Sequence, residues 1–184
     1  MKMDKVANSK NDEFYTPAYA VRPILKYIPK GATVWCPFDT ENSWFVKLLQ
    51  ARGNRAIYSH KDNGDDFFQC TSVISIKTYL AECDYIVSNP PYSLKTEVLK
   101  RLFDIEKPFA MLVGVVGLFE SARRYFMFRD NKFEMLYLNK RVAFFKNFTD
   151  QKPSLNPPFS SAYVCSKMLP KQICFEEIVK GQGE

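Results

Sequence analysis

Histidine is almost missing from this chain. The single one, His60, has no companion at metal-ligand or triad spacing, so no catalytic or metal-binding role is expected of it. The five cysteines, Cys36, Cys70, Cys83, Cys165 and Cys174, are odd in number and show no C-x-x-C pair, so they form neither a disulfide framework nor a zinc knuckle. They are expected to be buried thiols, and no metal is expected. No apolar run approaches the roughly 20 residues that cross a bilayer. The start, Met1-Lys2-Met3-Asp4-Lys5-Val6-Ala7-Asn8, lacks the apolar core of a signal peptide, so a cytoplasmic location away from membranes is expected.

What is present is a core-forming composition: 46% hydrophobic and 25% charged over 184 residues. That is enough chain for one domain, read as residues 12–184 after a polar segment at 1–11. The net charge is +6, with basic residues recurring around Lys95, Arg101, Arg123, Arg124, Lys140 and Arg141. Such a surface suits a polyanion, but so small an excess fits an ordinary solvated surface equally well.

Hydrophobic periodicity alternates along the chain. Thr16-Pro17 reads as an N-cap and first helical residue, followed by Val21, Ile24, Leu25 and Ile28 at helical spacing, with Pro23 expected to kink or split the helix. Thr33-Val34-Trp35-Cys36 reads as a strand, 43–50 as a helix stopped at Gly53, and 56–59 as a second strand. Asp66-Phe67-Phe68 reads as the start of a further strand, and a weak helix precedes the strand at 84–87. A helix marked by Val98, Leu99, Leu102 and Ile105 leads to the apolar run 109–116, which fits a strand buried on both faces of a parallel sheet. After a helix at 120–129, strands are read at 134–138, 142–145 and 160–165, too close together for crossover helices, so that end is antiparallel.

The most specific feature is Asn89-Pro90-Pro91-Tyr92, placed directly after the apolar strand Tyr85-Ile86-Val87. Two prolines fix φ and remove two donors, so the loop holds one shape and offers carbonyls. Asn89 adds a side-chain carbonyl and Tyr92 an aromatic face, a set that suits a planar amino-heterocycle. A second copy, Asn156-Pro157-Pro158-Phe159, follows a polar stretch and is read as a loop. Context therefore favours Asn89.

These segments resemble, in order, those of the class I S-adenosylmethionine-dependent amino-methyltransferases, and most closely the small phage-type DNA adenine-N6 methyltransferases. Tyr15-Thr16-Pro17 looks like the N-terminal cofactor motif, Cys36-Pro37-Phe38-Asp39 stands in the first-strand cofactor loop, and Asp66-Phe67 resembles the adenosine contact. Asn89, Pro90, Pro91 and Tyr92 match the catalytic motif, and the segment Arg141-Val142-Ala143-Phe144-Phe145 resembles the one that helps hold the target base. The chain departs from the family where Cys36 replaces an acid and Asp39-Thr40-Glu41-Asn42 replace glycines, leaving Asp39 or Glu41 to face the methionine ammonium.

The resemblance implies a Rossmann-like α/β fold, a mostly parallel sheet with an antiparallel C-terminal end and helices on both faces. It implies S-adenosylmethionine as cofactor and methylation of the exocyclic amine of adenine in DNA. Tyr92, Phe144 and Phe145 would hold the flipped base, with Arg123, Arg124, Lys140 and Arg141 on the DNA. With no room for a target-recognition domain, specificity would come from short loops, a homodimer or a partner protein, in the host cytoplasm if the chain is phage-encoded. Two alternatives stay open: an inactive methyltransferase-like binding or inhibitor module, and a methyltransferase acting on RNA or protein glutamine.

Overall fold

The computed structural model of the protein describes residues 15–68, 73–145 and 159–179. Its elements run α1 (Ala18–Leu25), β1 (Thr33–Cys36), α2 (Trp44–Ala51), β2 (Arg55–Tyr58), α3 (Val73–Glu82), β3 (Tyr85–Ser88), α4 (Lys95–Ile105), β4 (Phe109–Gly114), α5 (Ala122–Asp130), β5 (Glu134–Leu138), β6 (Ser161–Ser166) and β7 (Ile173–Glu176). The strands form one sheet in the order β2-β1-β3-β4-β6-β5-β7. Strands β1 to β4 are mutually parallel, β6 runs antiparallel to both β4 and β5, and β7 is parallel to β5. One strand, β6, is therefore reversed.

Alternation along each strand divides the core between the two faces of the sheet. Val34, Val87, Ala110, Leu112 and Tyr163 pack with α1 and α2, while Trp35, Ile86, Met111, Val113 and Val164 pack with α4 and α5. All six residues of β4 are buried, as its unbroken apolar run requires. Each fully buried Leu, Ile or Phe contributes about 1.5–3 kcal/mol, so the two faces stabilise the sheet by far more than any single polar contact.

Several elements differ from the sequence reading. Helix α1 starts after Pro17, which is still extended at φ −70°, ψ 152°. The cause is the two-bond bridge between Tyr15 and Phe145 (3.1 and 2.9 Å), which keeps the chain extended into the helix start. Pro23 does not split α1; it costs one donor two residues before the helix ends, and its ring is buried. Residues 142–145 are not a strand. Strand β5 already has β6 on one side and β7 on the other, so no edge is left there, and the Ala143 N–H instead donates to the Tyr19 hydroxyl at 2.8 Å. Asp66-Phe67-Phe68 is a turn closed by the Phe68 N–H donating to Asp66 Oδ1 at 2.9 Å. Strand β7 has no counterpart in the sequence reading. Cys36, Cys83, Cys165 and Cys174 are buried free thiols, whereas Cys70 lies outside the described residues. Among the described residues no helix is long and apolar enough to cross a membrane.

Strands β1, β2, β3 and β4 end at one edge of the sheet, at Cys36, Tyr58, Ser88 and Gly114. Because β2 and β3 lie on opposite sides of β1, the chain reverses its winding between β1 and β3. The crevice beyond such a switch point is where open α/β sheets bind ligands.

Candidate functional site

The Asn89 loop leaves the sheet at that switch point. Ser88 is fully buried, Asn89 is half-buried with Oδ1 shielded from solvent, and Pro90 is buried. Pro91 is extended at φ −53°, ψ 130°, and one 3-10 turn, Tyr92–Leu94, carries the chain into α4. The loop is held by proline geometry on one side and by the helix on the other.

Tyr92 stands between two phenylalanines. Phe144 meets it edge-on at 5.9 Å between ring centres, and Phe159 does so at 5.2 Å. Its hydroxyl lies 3.4 Å from Ser161 Oγ, a long contact. Gly114 makes room beneath: a Cβ there would stand 3.4 Å from the Phe159 ring and 3.7 Å from Tyr92. Phe159 closes the second tetrapeptide, whose Asn156-Pro157-Pro158 lie outside the described residues. The sequence reading missed this contact. The available signal was the antiparallel pairing of β6 with β4, because Ser161 opposite Gly114 returns the residues before β6 to the edge where the parallel strands end.

The loop after β1 faces Asn89 across the switch point. Cys36 is buried, and burial pushes its thiol well above the usual range, so it supplies no charge. Pro37 is buried and Phe38 packs on Phe67 at 5.0 Å. Asp39, standing where glycine is expected, turns its carboxylate inward and is only 8% exposed. One carboxylate oxygen accepts from Ser43 Oγ, the other accepts from Ser88 Oγ at 2.5 Å, and the Asp39 N–H donates to the Ser59 carbonyl at 3.2 Å.

Burial pushes the Asp39 carboxyl up to about 6 from 3.8, against the two serine hydroxyls and the nearby His60, which lower it. A folded-state value above the unfolded one means that the native state binds the proton more tightly. The stabilising contribution is thus full below about 3.8 and is lost as pH rises through about 6. Asp39→Asn is expected to flatten this part of the stability profile and to melt no lower than the parent at pH 7.5. Each factor of ten in proton affinity is worth about 1.4 kcal/mol, so the difference is large enough for thermal melts between pH 4 and 8 to read.

The remaining candidates lie around this centre. Thr16 Oγ1 and Trp44 Nε1, at the starts of α1 and α2, are buried polar atoms with no hydrogen-bond partner among the described residues. Phe67 is 2% exposed, under Trp35 at 5.7 Å and with the Arg101 guanidinium 5.3 Å above its ring, so it is a core residue beside the half-buried Asp66. Phe145 is fully buried, and its backbone pairs with Tyr15. Arg123 pairs with Glu97 at 2.7 Å and Arg124 donates to Thr96 Oγ1 at 2.9 Å. Lys95, one of the basic residues noted in the sequence, follows the Tyr92 turn and donates to the Val116 carbonyl at 2.7 Å; burial and the adjacent Arg124 both lower its pKa. Lys140 and Arg141 are exposed. The structure thus brings Tyr92 against Phe144 and ties Ser88, the residue before Asn89, to the β1 loop, while Arg123 and Arg124 of α5 pack on α4.

The chain is similar over 98% of its length to a modification subunit of a putative type I restriction enzyme from Vibrio vulnificus YJ016, at a TM-score of 0.56 and 12% identity. It has the class I methyltransferase fold. It spans 50% of that longer chain. A release factor-specific protein-(glutamine-N5) methyltransferase from Alicyclobacillus acidocaldarius subsp. acidocaldarius DSM 446 is similar over 88% of this chain and 95% of its own, at a TM-score of 0.44 and 14% identity. No protein-family model matches the sequence, and no curated protein matches it either. In the Rossmann-like methyltransferase fold, the β1 and β3 exits that meet at Asp39 and Ser88 border the ligand crevice.

Proposed function

We propose that this chain transfers a methyl group from S-adenosylmethionine to the exocyclic amine of adenine in DNA. The observation that carries this reading is Asn89-Pro90-Pro91-Tyr92 at the exit of β3, tied through Ser88 to the loop after β1. The residues present fit the cofactor: the Asp39 carboxylate is buried on Ser43 and Ser88, and Thr16 and Trp44 bring buried, unsatisfied polar atoms to the two helix starts. Tyr15, Thr16, Pro17, Pro37, Phe38 and Asp66 would hold it together with the backbone at Cys36. When bound, S-adenosylmethionine supplies a methyl group already activated by its sulfonium.

The chain's own work is then alignment. The lone pair of an aromatic amine is delocalised into its ring. Accepting its two N–H groups at the Asn89 side-chain carbonyl and the Pro90 carbonyl turns that lone pair out of the ring plane and aims it, with no need of a metal. Tyr92, flanked by Phe144 and Phe159, supplies an apolar wall for a base that must leave the duplex to reach the loop. Lys95, Arg123 and Arg124 would meet phosphates, and Lys140 and Arg141 would extend the basic surface. The modification-subunit role of the similar Vibrio protein supports DNA as the carrier and a partner subunit or second copy as the source of specificity.

Calorimetry with S-adenosylmethionine and its demethylated product, followed by labelled-methyl transfer to DNA, RNA and total protein, tests the proposal. Binding of both ligands, transfer to adenine in DNA, and DNA binding that weakens as salt rises are expected. Absence of heat and of thermal stabilisation at millimolar ligand would support a binding or inhibitor module instead. Label confined to RNA or to protein glutamine would move the acceptor assignment.

A further inference from the structure

Four segments converge on Asp39. Its carboxylate accepts from Ser43 at the cap of α2 and from Ser88 at the end of β3, while its N–H donates to Ser59 just beyond β2. Asp39 itself follows β1. Ser43, Ser59 and Ser88 are 3%, 3% and 0% exposed, so the cluster is a buried polar knot at the switch point rather than a surface network. The groups that face Asp39 are Cys36 on β1, His60 beyond β2 and Tyr163 on β6, and no described lysine or arginine forms an ion pair with it.

A buried carboxylate without a cationic partner costs several kcal/mol, a cost that simple packing does not require. A carboxylate does offer what asparagine cannot: two acceptor oxygens that take two hydroxyl protons at once. One of those hydroxyls belongs to Ser88, the residue before Asn89, whose Cα lies about 3.8 Å from that of Asn89 across one planar peptide.

We propose that Asp39 is a positioning residue that holds Ser88, and through it the Asn89 loop, in register with the loop after β1. The inference rests on the methyl-transfer reading of Asn89, whose amine acceptors act only when correctly aimed. Misplacement of a reacting group by about 1 Å can cost about 100-fold in rate, so a bridge that sets Ser88 has a kinetic effect without touching the acceptor. It also gives a role to the side chain that stands where the resemblance implies glycine. The side chain bridges the two loops beneath the crevice.

The experiment compares the full chain with Ser88→Ala, Ser88→Thr and Asp39→Asn. Hydrogen exchange of 86–95 is followed by mass spectrometry with β4 as the internal reference, alongside S-adenosylmethionine affinity and labelled-methyl transfer to DNA from pH 5 to 8. Ser88→Ala and Asp39→Asn are expected to speed exchange of the loop and to lower kcat by about tenfold or more, with cofactor affinity within about threefold of the parent. Ser88→Thr, which keeps the hydroxyl, is expected to restore both. Turnover of the parent is expected to fall as pH drops through about 6, where Asp39 takes up a proton and gives up one acceptor, and Asp39→Asn is expected to lose that acid limb. Loop exchange unchanged from the parent in both Ser88→Ala and Asp39→Asn overturns the inference. A parent chain that binds no cofactor and transfers no methyl group overturns the methyl-transfer reading instead, and the exchange data still decide whether the bridge holds the loop.

Discussion

Asn89→Ala is expected to lower methyl transfer by about 10²–10³-fold, the usual loss when one preorganised polar group aimed at a reacting centre is removed. Affinity for S-adenosylmethionine is expected to stay close to that of the parent, because the proposed reading gives Asn89 to the acceptor and puts the cofactor on the β1, α1 and α2 side. The residue is half-buried with a shielded Oδ1, so water is poorly placed to take over as acceptor. Single-turnover transfer at saturating cofactor, with calorimetry on the same protein, separates the two effects. Asn156→Ala is the matched control for the second tetrapeptide. Equal damage from both substitutions would move the amine contact to the other copy.

Tyr92→Ala is expected to be nearly as severe, at about 100-fold in transfer, and to destabilise the fold by about 1–2 kcal/mol. The ring is the shared partner of Phe144 and Phe159, and such edge-on pairs are worth about 0.5–1.5 kcal/mol beyond burial. Tyr92→Phe keeps both pairs and loses only a hydroxyl 3.4 Å from Ser161, so its activity is expected to remain within about threefold of the parent. Acceptor KM, kcat and melting temperature measured for both variants test this order. A Tyr92→Phe variant as weak as Tyr92→Ala would assign the effect to the hydroxyl.

Local physics made much of this legible. The apolar run from Phe109 fitted a strand covered on both faces, and it is β4; Gly53 marked the stop of α2, where it is left-handed at φ +83°. The Asn89 tetrapeptide was placed correctly because its strand is short and apolar and its prolines cannot continue it. What escaped depends on partners distant in sequence. Residues 142–145 have strand-like composition, but β5, the strand before them, is already paired on both sides. β7 is four residues long with Phe175 77% exposed, too weak a pattern to read. The inward turn of Asp39 needs Ser88, and the contact of Phe159 with Tyr92 needs β6 in register, neither of which is a property of the local sequence.

The reversed strand also sets the order in which the molecule can be built during synthesis. Tyr92 emerges before Phe144, Phe159 and Ser161, which follow 52 to 69 residues later. A nascent chain ending before them already contains β1 to β4, with Asp39 and Ser88, but lacks the wall against which Tyr92 rests. Closing so long a loop is entropically costly and gives slow, late contacts. The aromatic wall around Tyr92 is therefore completed last, when β6 inserts between β4 and β5.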